Sequence, residues 1–259
     1  MESVSERGHS GTGAGGVQAR CFPDRAQLLA ALEERLKRAL TDSGTGGAVA
    51  VMLSGGNTPI PAYRALAQQA VRPAPGLSVL FSDDRYVPSD SDASNYHQTR
   101  PLLDALDLPA DRVLRVRTEL PLEESAADYE RRLGELASAG THFGLGLLGL
   151  GADGHTASLF RAEDIERARG RRAIPVHRPD GRDAVSVTPE VLAWMDEILF
   201  VVAGADKRAA LASLLEHNPA LTAWKAVSGS KAVAVWTEPE AWPAGRTAPA
   251  GRRGPPRGS

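Results

Sequence analysis

The 259-residue sequence is poor in cysteine, in aromatic residues and in long apolar runs. Cys21 is the only cysteine, which excludes an intramolecular disulfide bond and any metal site built from several cysteines. No apolar run reaches the ~18 residues that a membrane-spanning helix requires, and residues 1–16 lack the apolar segment of a signal peptide. We therefore expect a cytoplasmic protein that has no membrane partner.

An excess of positive charge is also missing, since the formal net charge is −2. Composition therefore gives no indication of a nucleic-acid partner. Apolar residues make up 42% of the chain, enough for the core of one α/β domain, which we place at residues 17–240. Residues 1–16 are rich in Gly and Ser, and residues 241–259 are rich in Arg, Gly and Pro, so both are predicted to be disordered tails.

Apolar runs of strand length alternate along the chain with segments whose apolar residues recur at helical spacing. The runs predict strands at residues 17–22, 48–53, 77–81, 113–116, 143–150, 173–176, 184–187, 198–203 and 232–236. The helical segments lie at residues 24–40, 59–70, 99–106, 122–137 and 204–215, with a short helix after Thr188. This alternation is typical of an α/β fold with a mostly parallel, Rossmann-like open sheet and helices on both faces.

The central stretch is an uncharged run at residues 143–150 that passes into a polar, glycine-rich turn with Asp153 and His155. Such a run is typical of a strand buried on both faces of a parallel sheet. In open α/β sheets, ligands bind at the carboxyl ends of the strands. Asp153 and His155 are close enough in sequence to act together in one pocket, as a catalytic pair of a sugar-phosphate enzyme would.

Two other interpretations of this stretch remain open from the local pattern. The first is a strand-to-helix connection in which Thr156 and Ser158 merely cap a short helix. The second is a dinucleotide-binding fingerprint, because residues 149–154 match Gly-x-Gly-x-x-Gly. A lone match to that fingerprint is weak, and no acidic residue suited to a ribose ends the next strand.

Polar residues also follow three other predicted strands. Residues 54–59, Ser-Gly-Gly-Asn-Thr-Pro, form a turn in which Thr58 is an expected N-cap, and such a turn is either an anion seat or a plain capped turn. Residues 82–88 hold Asp83, Asp84 and Arg85, which face a site or form an exposed ion pair of little energy. Arg85 and Lys207 are the only side-chain cations that we place at this edge.

Four segments, taken in order, make the sequence resemble the 6-phosphogluconolactonase family, part of a wider group that includes glucosamine-6-phosphate deaminase. The segments are Ser-Gly-Gly-Asn-Thr-Pro at 54–59, Asp-Asp-Arg-Tyr-Val-Pro at 83–88 with Ser94 and Asn95, Gly-Ala-Asp-Gly-His-Thr-Ala-Ser-Leu-Phe at 151–160, and Gly-Ala-Asp-Lys at 204–207. The resemblance covers about residues 20–237.

The resemblance implies hydrolysis of 6-phospho-D-glucono-1,5-lactone to 6-phosphogluconate in the pentose phosphate pathway, without a metal or organic cofactor. It makes His155 the general base that activates water, with Asp153 orienting the imidazole and Asp83 lining the site. Histidine suits this chemistry because it titrates near neutral pH. It assigns binding of the phosphate or of the developing oxyanion to two cationic side chains, Arg85 and Lys207, and to one turn, formed by Gly55, Gly56, Asn57 and Thr58.

Four positions depart from the family pattern: Asn57 replaces Ser, Asp84 replaces Glu, Arg161 replaces Pro, and Ala184 replaces an arginine. Arg182 lies two residues before Ala184, and the sequence leaves open whether it substitutes for the missing arginine. None of these changes removes the Asp–His pair.

Two alternative functions stay open. An amino-sugar-phosphate isomerase or deaminase would need a Glu five residues after the histidine, where this chain has Phe160. A non-catalytic module that binds a sugar phosphate would use the same anion seat without the base.

Overall fold

The computed structural model describes residues 16–42 and 46–246, and within them strands and helices alternate as expected. The strands are β1 (Gln18–Cys21), β2 (Val49–Leu53), β3 (Leu77–Phe81), β4 (Asp83–Arg85), β5 (Val113–Leu114), β6 (His142–Leu148), β7 (Ala173–His177), β8 (Asp183–Val187), β9 (Glu197–Val202) and β10 (Val233–Thr237). The helices are α1 (Arg25–Thr41), α2 (Ile60–Ala67), α3 (Asn95–Leu106), α4 (Leu122–Ser138), α5 (Ala162–Arg167), α6 (Pro189–Trp194), α7 (Arg208–Leu215) and α8 (Thr222–Val227).

Seven strands form the main sheet in the order β1-β10-β9-β6-β2-β3-β5, and every neighbouring pair is parallel. The predicted α/β class with a mostly parallel sheet is therefore confirmed. The four strands that precede the predicted site segments, β9, β6, β2 and β3, are adjacent in this order. Their carboxyl ends consequently meet at one edge of the sheet.

Each face of the sheet carries its own hydrophobic core, as the fully buried strand β2 shows. Val49, Val51 and Leu53 pack with residues of α1, α2 and α3, whereas Ala50 and Met52 pack with residues of α4, α6, α7 and α8. Successive side chains of a strand point to opposite faces, so an uninterrupted apolar run is required when both faces are covered. The prediction of helices on both faces is confirmed.

A second, three-stranded antiparallel sheet, in the order β4-β8-β7, was not predicted as a separate unit. The chain stays extended after β3, and Asp83, Asp84 and Arg85 pair with residues 184–186 of β8. The sequence predicts only that these polar residues follow β3 and either face a site or form an exposed ion pair. Their place on a hydrogen-bonded strand fixes the directions of their side chains more firmly than a loop would.

Helix α3 begins four residues earlier than predicted because polar side chains hold its first turn. The Ser94 hydroxyl accepts a hydrogen bond from the His97 N–H at 3.2 Å. The buried carboxylate of Asp84 accepts from the N–H groups of Asn95 and Tyr96 at 2.6 and 3.1 Å. A carboxylate at this position satisfies two of the N–H groups that a helix start leaves without a partner.

The expected cap at Thr58 is wrong, and so is the alternative interpretation in which Thr156 and Ser158 cap a helix. Helix α2 begins at Ile60 with Pro59 as its cap residue, so Thr58 remains in the preceding turn and makes no capping bond. Helix α2 also ends at residue 67 rather than 70. Thr156 and Ser158 cap no helix, because α5 begins only at residue 162; both are buried instead, and the Thr156 hydroxyl donates to the carbonyl of Gly149 at 2.9 Å.

The chain after β10 packs on the domain as far as the described residues extend. Ala241 is fully buried, and the Arg208 guanidinium donates to the carbonyls of Glu240 and Trp242 at 2.6 and 3.2 Å. The predicted C-terminal tail starts at residue 241; its residues 247–259, and residues 1–15 of the predicted N-terminal tail, lie outside the described residues. No described helix combines the length and apolar character that a membrane crossing demands.

Candidate active site

Two adjoining cavities open at the carboxyl ends of β2, β3, β6 and β9. The first, here called the His155 cavity, has a volume of about 290 Å³ and is lined by Ser54, Gly55, Gly56, Asp83, Arg85, Asn95, Gly149, Leu150, Gly151, His155, Ala157, Arg178 and Lys207. The second, here called the loop cavity, has a volume of about 450 Å³ and is lined by residues 55–59, 149–150, 201–204 and 206–207 together with Arg25. The two share Gly55, Gly56, Gly149, Leu150 and Lys207, so all four predicted segments converge on one site.

His155 and Asp153 form a hydrogen-bonded pair in the turn after β6. Nδ1 of His155 lies 2.5 Å from Oδ1 of Asp153. Partial burial raises the pKa of the Asp153 carboxyl, but the hydrogen bond and charge of His155 outweigh it, so the pKa lies below its ordinary value. An ionised carboxylate can only accept, so in the neutral imidazole Nδ1 carries the proton and Nε2 keeps a free lone pair. The imidazole is 26% exposed and faces the cavity, which is the arrangement of a general base.

The glycine at position 151 is required by this pair. A Cβ atom there would lie 2.1 Å from Nδ1 of His155 and 2.3 Å from Oδ1 of Asp153. Gly154 adopts a φ of +84°, a left-handed conformation that disfavours other residues, and its N–H closes a tight turn onto the carbonyl of Gly151 at 3.0 Å. The two glycines thus place Asp153 and His155 side by side.

The dinucleotide interpretation of residues 149–154 is wrong. That fingerprint needs a helix that starts directly after the turn, so that the pyrophosphate meets the helix N-terminus. Here the next helix, α5, starts eight residues after Gly154. The space beside Gly151, where a pyrophosphate would approach, holds the Asp153 and His155 side chains.

Asp83 is buried and acts as the hub of a hydrogen-bond network beside the His155 cavity. Its carboxylate accepts from the hydroxyls of Ser82 and Ser158 at 2.9 and 2.6 Å and from the Asn95 amide at 3.3 Å. The Asn95 side-chain oxygen in turn accepts from Nη1 of Arg85. Asp83 therefore lines the site, as expected, and it orders the groups around it.

Asp84 does not line either cavity, although it neighbours two residues that do. Burial raises the pKa of its carboxyl to about 6, against the lowering effect of the hydrogen bonds from Asn95, Tyr96 and Ser94. The side chain anchors the start of α3. This anchoring role accounts for an acidic residue at a position that lines neither cavity.

The turn after β2 offers backbone donors to the loop cavity. None of the described residues accepts a hydrogen bond from the N–H groups of Gly55, Gly56, Asn57 or Thr58. Gly56 has a φ of +100°, and a Cβ on Gly55 would collide with the Asn95 side chain at 1.8 Å. Free N–H groups at a helix start form an anion seat. Asn57 and Thr58 line only the loop cavity, whereas Gly55 and Gly56 line both.

Lys207 supplies positive charge at the junction of the two cavities. It lies in a single helical turn that follows Gly204 after β9, and its ammonium pairs with Asp206 at 3.1 Å. Arg25, at the first turn of α1, lines the loop cavity as well. Nothing in the sequence pattern around Arg25 pointed to the site, because β1 lies at the far edge of the sheet from β2 and only the fold brings α1 there.

The prediction that Arg85 and Lys207 are the only side-chain cations at this edge is wrong. Arg178, which follows β7 in the second sheet, also lines the His155 cavity. Arg182 lines neither cavity, and Ala184 is buried in β8 opposite Arg85. A signal was present in the sequence: Pro-Asp-Gly at 179–181 is a turn motif that folds two strands back on each other. What the motif did not reveal was that this hairpin packs on the site.

Comparisons with known proteins relate this chain to one family. The family model described as glucosamine-6-phosphate isomerases/6-phosphogluconolactonase matches residues 23–236. The 6-phosphogluconolactonase of Thermotoga maritima is 36% identical over 173 residues, which cover 65% of this chain and 76% of the relative. The human 6-phosphogluconolactonase is 33% identical over 210 residues, covering 76% and 81%. The crystal structure of the T. maritima enzyme aligns with a TM-score of 0.69 and 28% identity, over 86% of this chain and 99% of that one.

The chain therefore belongs to the glucosamine-6-phosphate isomerase/6-phosphogluconolactonase family. The family membership that the sequence resemblance predicted is confirmed. Among the described residues, no three His, Cys, Asp or Glu side chains are grouped in the way that a metal ion would need. The expected absence of a cofactor stays a prediction.

Proposed function

We propose that this protein hydrolyses 6-phospho-D-glucono-1,5-lactone to 6-phosphogluconate, with His155 as the general base. The observation that carries the proposal is the Asp153–His155 pair, whose free Nε2 faces a cavity that also holds cationic side chains. The curated relatives that match over most of their length are 6-phosphogluconolactonases, which supports the same substrate.

The reaction requires one base and one group of donors. Nε2 of His155 takes a proton from water as the oxygen bonds to C1 of the lactone, and the carbonyl electron pair moves onto the carbonyl oxygen. When the carbonyl re-forms, the bond between C1 and the ring oxygen breaks, and the ring oxygen takes the proton from Nε2. One water is consumed and one carboxylic acid is formed, which then ionises. Asp153 keeps Nδ1 protonated and stabilises the imidazolium that exists between the two steps.

The phosphate of the substrate binds in the loop cavity. Gly55, Gly56, Asn57 and Thr58 offer backbone N–H groups there, and Lys207 offers an ammonium. A charged hydrogen bond contributes roughly 1.5–3 kcal/mol, so a few of them account for a strong preference for the phosphorylated lactone. Arg85 lines the His155 cavity, where it donates to the developing oxyanion.

The environment of Phe160 favours a lactonase over a deaminase. Its ring centroid lies 4.2 Å from that of His155. Opening an amino sugar and moving a proton between two carbons needs a second acid–base group beside the first. An apolar ring at this position offers none, whereas hydrolysis of a lactone proceeds with the single base.

The test is lactone hydrolysis by the purified protein, measured as acid release above the fast spontaneous reaction. We expect His155→Gln to lower kcat by roughly 10²–10⁴ while the protein remains folded. His177→Gln is the matched control, because His177 also pairs with a carboxylate, Asp183 at 2.9 Å, but is exposed and lies outside both cavities. Equal rates for the wild type and both variants would refute the assignment of the base. Binding of 6-phosphogluconate with no hydrolysis above background would instead indicate a binding module.

A further inference from the structure

Arg178 is held in a defined orientation at the rim of the His155 cavity. Its Nη1 donates to the hydroxyl of Ser158 at 3.1 Å, and its Nε and Nη2 donate to the carboxylate of Asp180 at 3.3 and 3.4 Å. The guanidinium carbon lies 5.0 Å from the centroid of the Phe160 ring. With a side chain only 14% exposed, Arg178 is not an ordinary surface arginine.

The guanidinium has donors left for a ligand. Of its five N–H groups, Ser158 and Asp180 engage three, one each on Nη1, Nε and Nη2. The remaining two belong to Nη1 and Nη2, and the side chain lines the cavity. Two N–H groups on adjacent nitrogens match the geometry of a carboxylate or of an oxygen that carries negative charge.

The position of Arg178 associates it with the reacting carbon rather than with the phosphate. Arg178 and His155 both contact the Phe160 ring and line the same cavity. The loop cavity, which is lined by residues 55–58 with their free N–H groups, is lined by neither Arg178 nor His155, whereas Lys207 lines both cavities. Of these two cations, only Lys207 lines the cavity assigned to the phosphate above, whereas Arg178 lines only the cavity that contains His155.

We propose that Arg178 binds the lactone carbonyl oxygen as it becomes negatively charged, and afterwards the carboxylate of the product. This proposal rests on the function proposed above and adds a residue to the reaction. Ser158 positions Arg178, since its hydroxyl accepts from the guanidinium while donating to the buried carboxylate of Asp83. A donor that is already oriented stabilises the transition state without a reorganisation cost.

The first test measures binding by calorimetry with two probes, 6-phosphogluconate and inorganic phosphate. We expect Arg178→Gln to weaken 6-phosphogluconate binding by about 10- to 100-fold and to leave inorganic phosphate unchanged, because one charged hydrogen-bonding partner of the carboxylate is lost. Lys207→Gln should weaken both probes. Arg182→Gln is the matched control in the same hairpin, since Arg182 lines neither cavity, and it should change neither affinity.

The second test is kinetic. Arg178→Gln should lower kcat on 6-phospho-D-glucono-1,5-lactone by about 10- to 100-fold. Arg178→Lys keeps the charge and should recover part of the lost kcat. The Lys variant also provides the test if the Gln variant does not fold. If Arg178→Gln lost affinity for inorganic phosphate, Arg178 would belong to the phosphate site. If its affinity for 6-phosphogluconate and its kcat were both unchanged, Arg178 would have only a structural role. Either result overturns the proposal. Wild-type hydrolysis, measured first, separates these results from failure of the proposed function.

Discussion

Replacing Gly151 by alanine tests whether the Asp153–His155 geometry, rather than the mere presence of both residues, drives the reaction. The added Cβ would lie 2.1 Å from Nδ1 of His155 and 2.3 Å from Oδ1 of Asp153. Carbon atoms in ordinary van der Waals contact are about 3.5–4.0 Å apart. Both side chains must therefore move by about 1 Å or more, and the 2.5 Å hydrogen bond between them is lost.

The expected losses differ between catalysis and stability. A misplacement of about 1 Å costs on the order of 10² in rate, so we expect kcat of Gly151→Ala to fall about 100-fold. Both displaced side chains have room to turn toward solvent, because Asp153 is 55% and His155 26% exposed. Alanine also restricts the unfolded chain, which offsets part of the strain by about 0.4–1 kcal/mol. The free energy of unfolding should hence change by no more than about 1 kcal/mol.

The assay is lactone hydrolysis at saturating substrate, together with urea unfolding of the same preparations. Gly229→Ala provides the control, since Gly229 is exposed and a Cβ there would meet nothing within 4 Å. A Gly151→Ala protein with wild-type kcat would show that the Asp–His hydrogen bond is not needed. A Gly151→Ala protein that lost several kcal/mol of stability would show that glycine is needed at this position for the stability of the turn and not for the geometry of the Asp153–His155 pair.

Two further predictions concern stability. Burial raises the pKa of Asp84 from 3.8 to about 6. Between these pH values the folded state therefore binds more protons than the unfolded state. The contribution of Asp84 to the free energy of unfolding should fall by about 3 kcal/mol as the pH rises through this window. Measured by urea unfolding, the change in the free energy of unfolding from pH 4 to pH 7 should be less favourable for the wild type than for Asp84→Asn, and equal changes would contradict the shift. A chain ending at residue 240 should melt several degrees below one ending at 246, because it loses the buried Ala241 and one bond of Arg208; equal melting temperatures would show that residues 241–246 do not stabilise the domain.

The parallel sheet and most of the site could be predicted because their signals are local. Strand β2 is apolar along its whole length, as burial on both faces demands, and the Asp-Gly-His turn directly follows another such strand. The fold then required the carboxyl ends of β9, β6, β2 and β3 to meet at one edge. Every site residue predicted after these four strands lines at least one of the two cavities, apart from Asp153, whose carboxylate contacts His155.

The second sheet and Arg178 could not be predicted because their signals are not local. Strand β4 is the polar tripeptide Asp83–Arg85, whose residue types have low β-strand propensity. It is stabilised by pairing with β8, which lies about 100 residues further along the chain. Arg178 reaches the site only because β8 pairs with β4 and β7 pairs with β8. The missed helix start at Asn95 has the same origin, since its anchoring carboxylate, Asp84, lies on β4.

Phe160→Glu is the strictest test of the distinction between lactonase and deaminase. A carboxylate at this position would lie beside the His155 imidazole and near the Arg178 guanidinium, which the Phe160 ring contacts at 4.2 and 5.0 Å. We expect the introduced carboxylate to pair with Arg178 and to hold the imidazole of His155 in its protonated form, so that neither group serves the lactone reaction. Lactonase kcat should fall at least about 10-fold, and ammonia release from glucosamine 6-phosphate should remain at background, because one carboxylate does not rebuild a preorganised site.

Phe160→Leu serves as the control because it keeps an apolar wall without a charge. It should retain lactonase activity within a few-fold of the wild type, since leucine still packs against the imidazole while offering no partner to Arg178. Ammonia release by the wild type at a rate comparable to lactone hydrolysis would overturn the lactonase assignment. Ammonia release by the Phe160→Glu variant alone would show that the His155 cavity already holds every other group that the deaminase reaction needs, and that Phe160 alone separates the two activities.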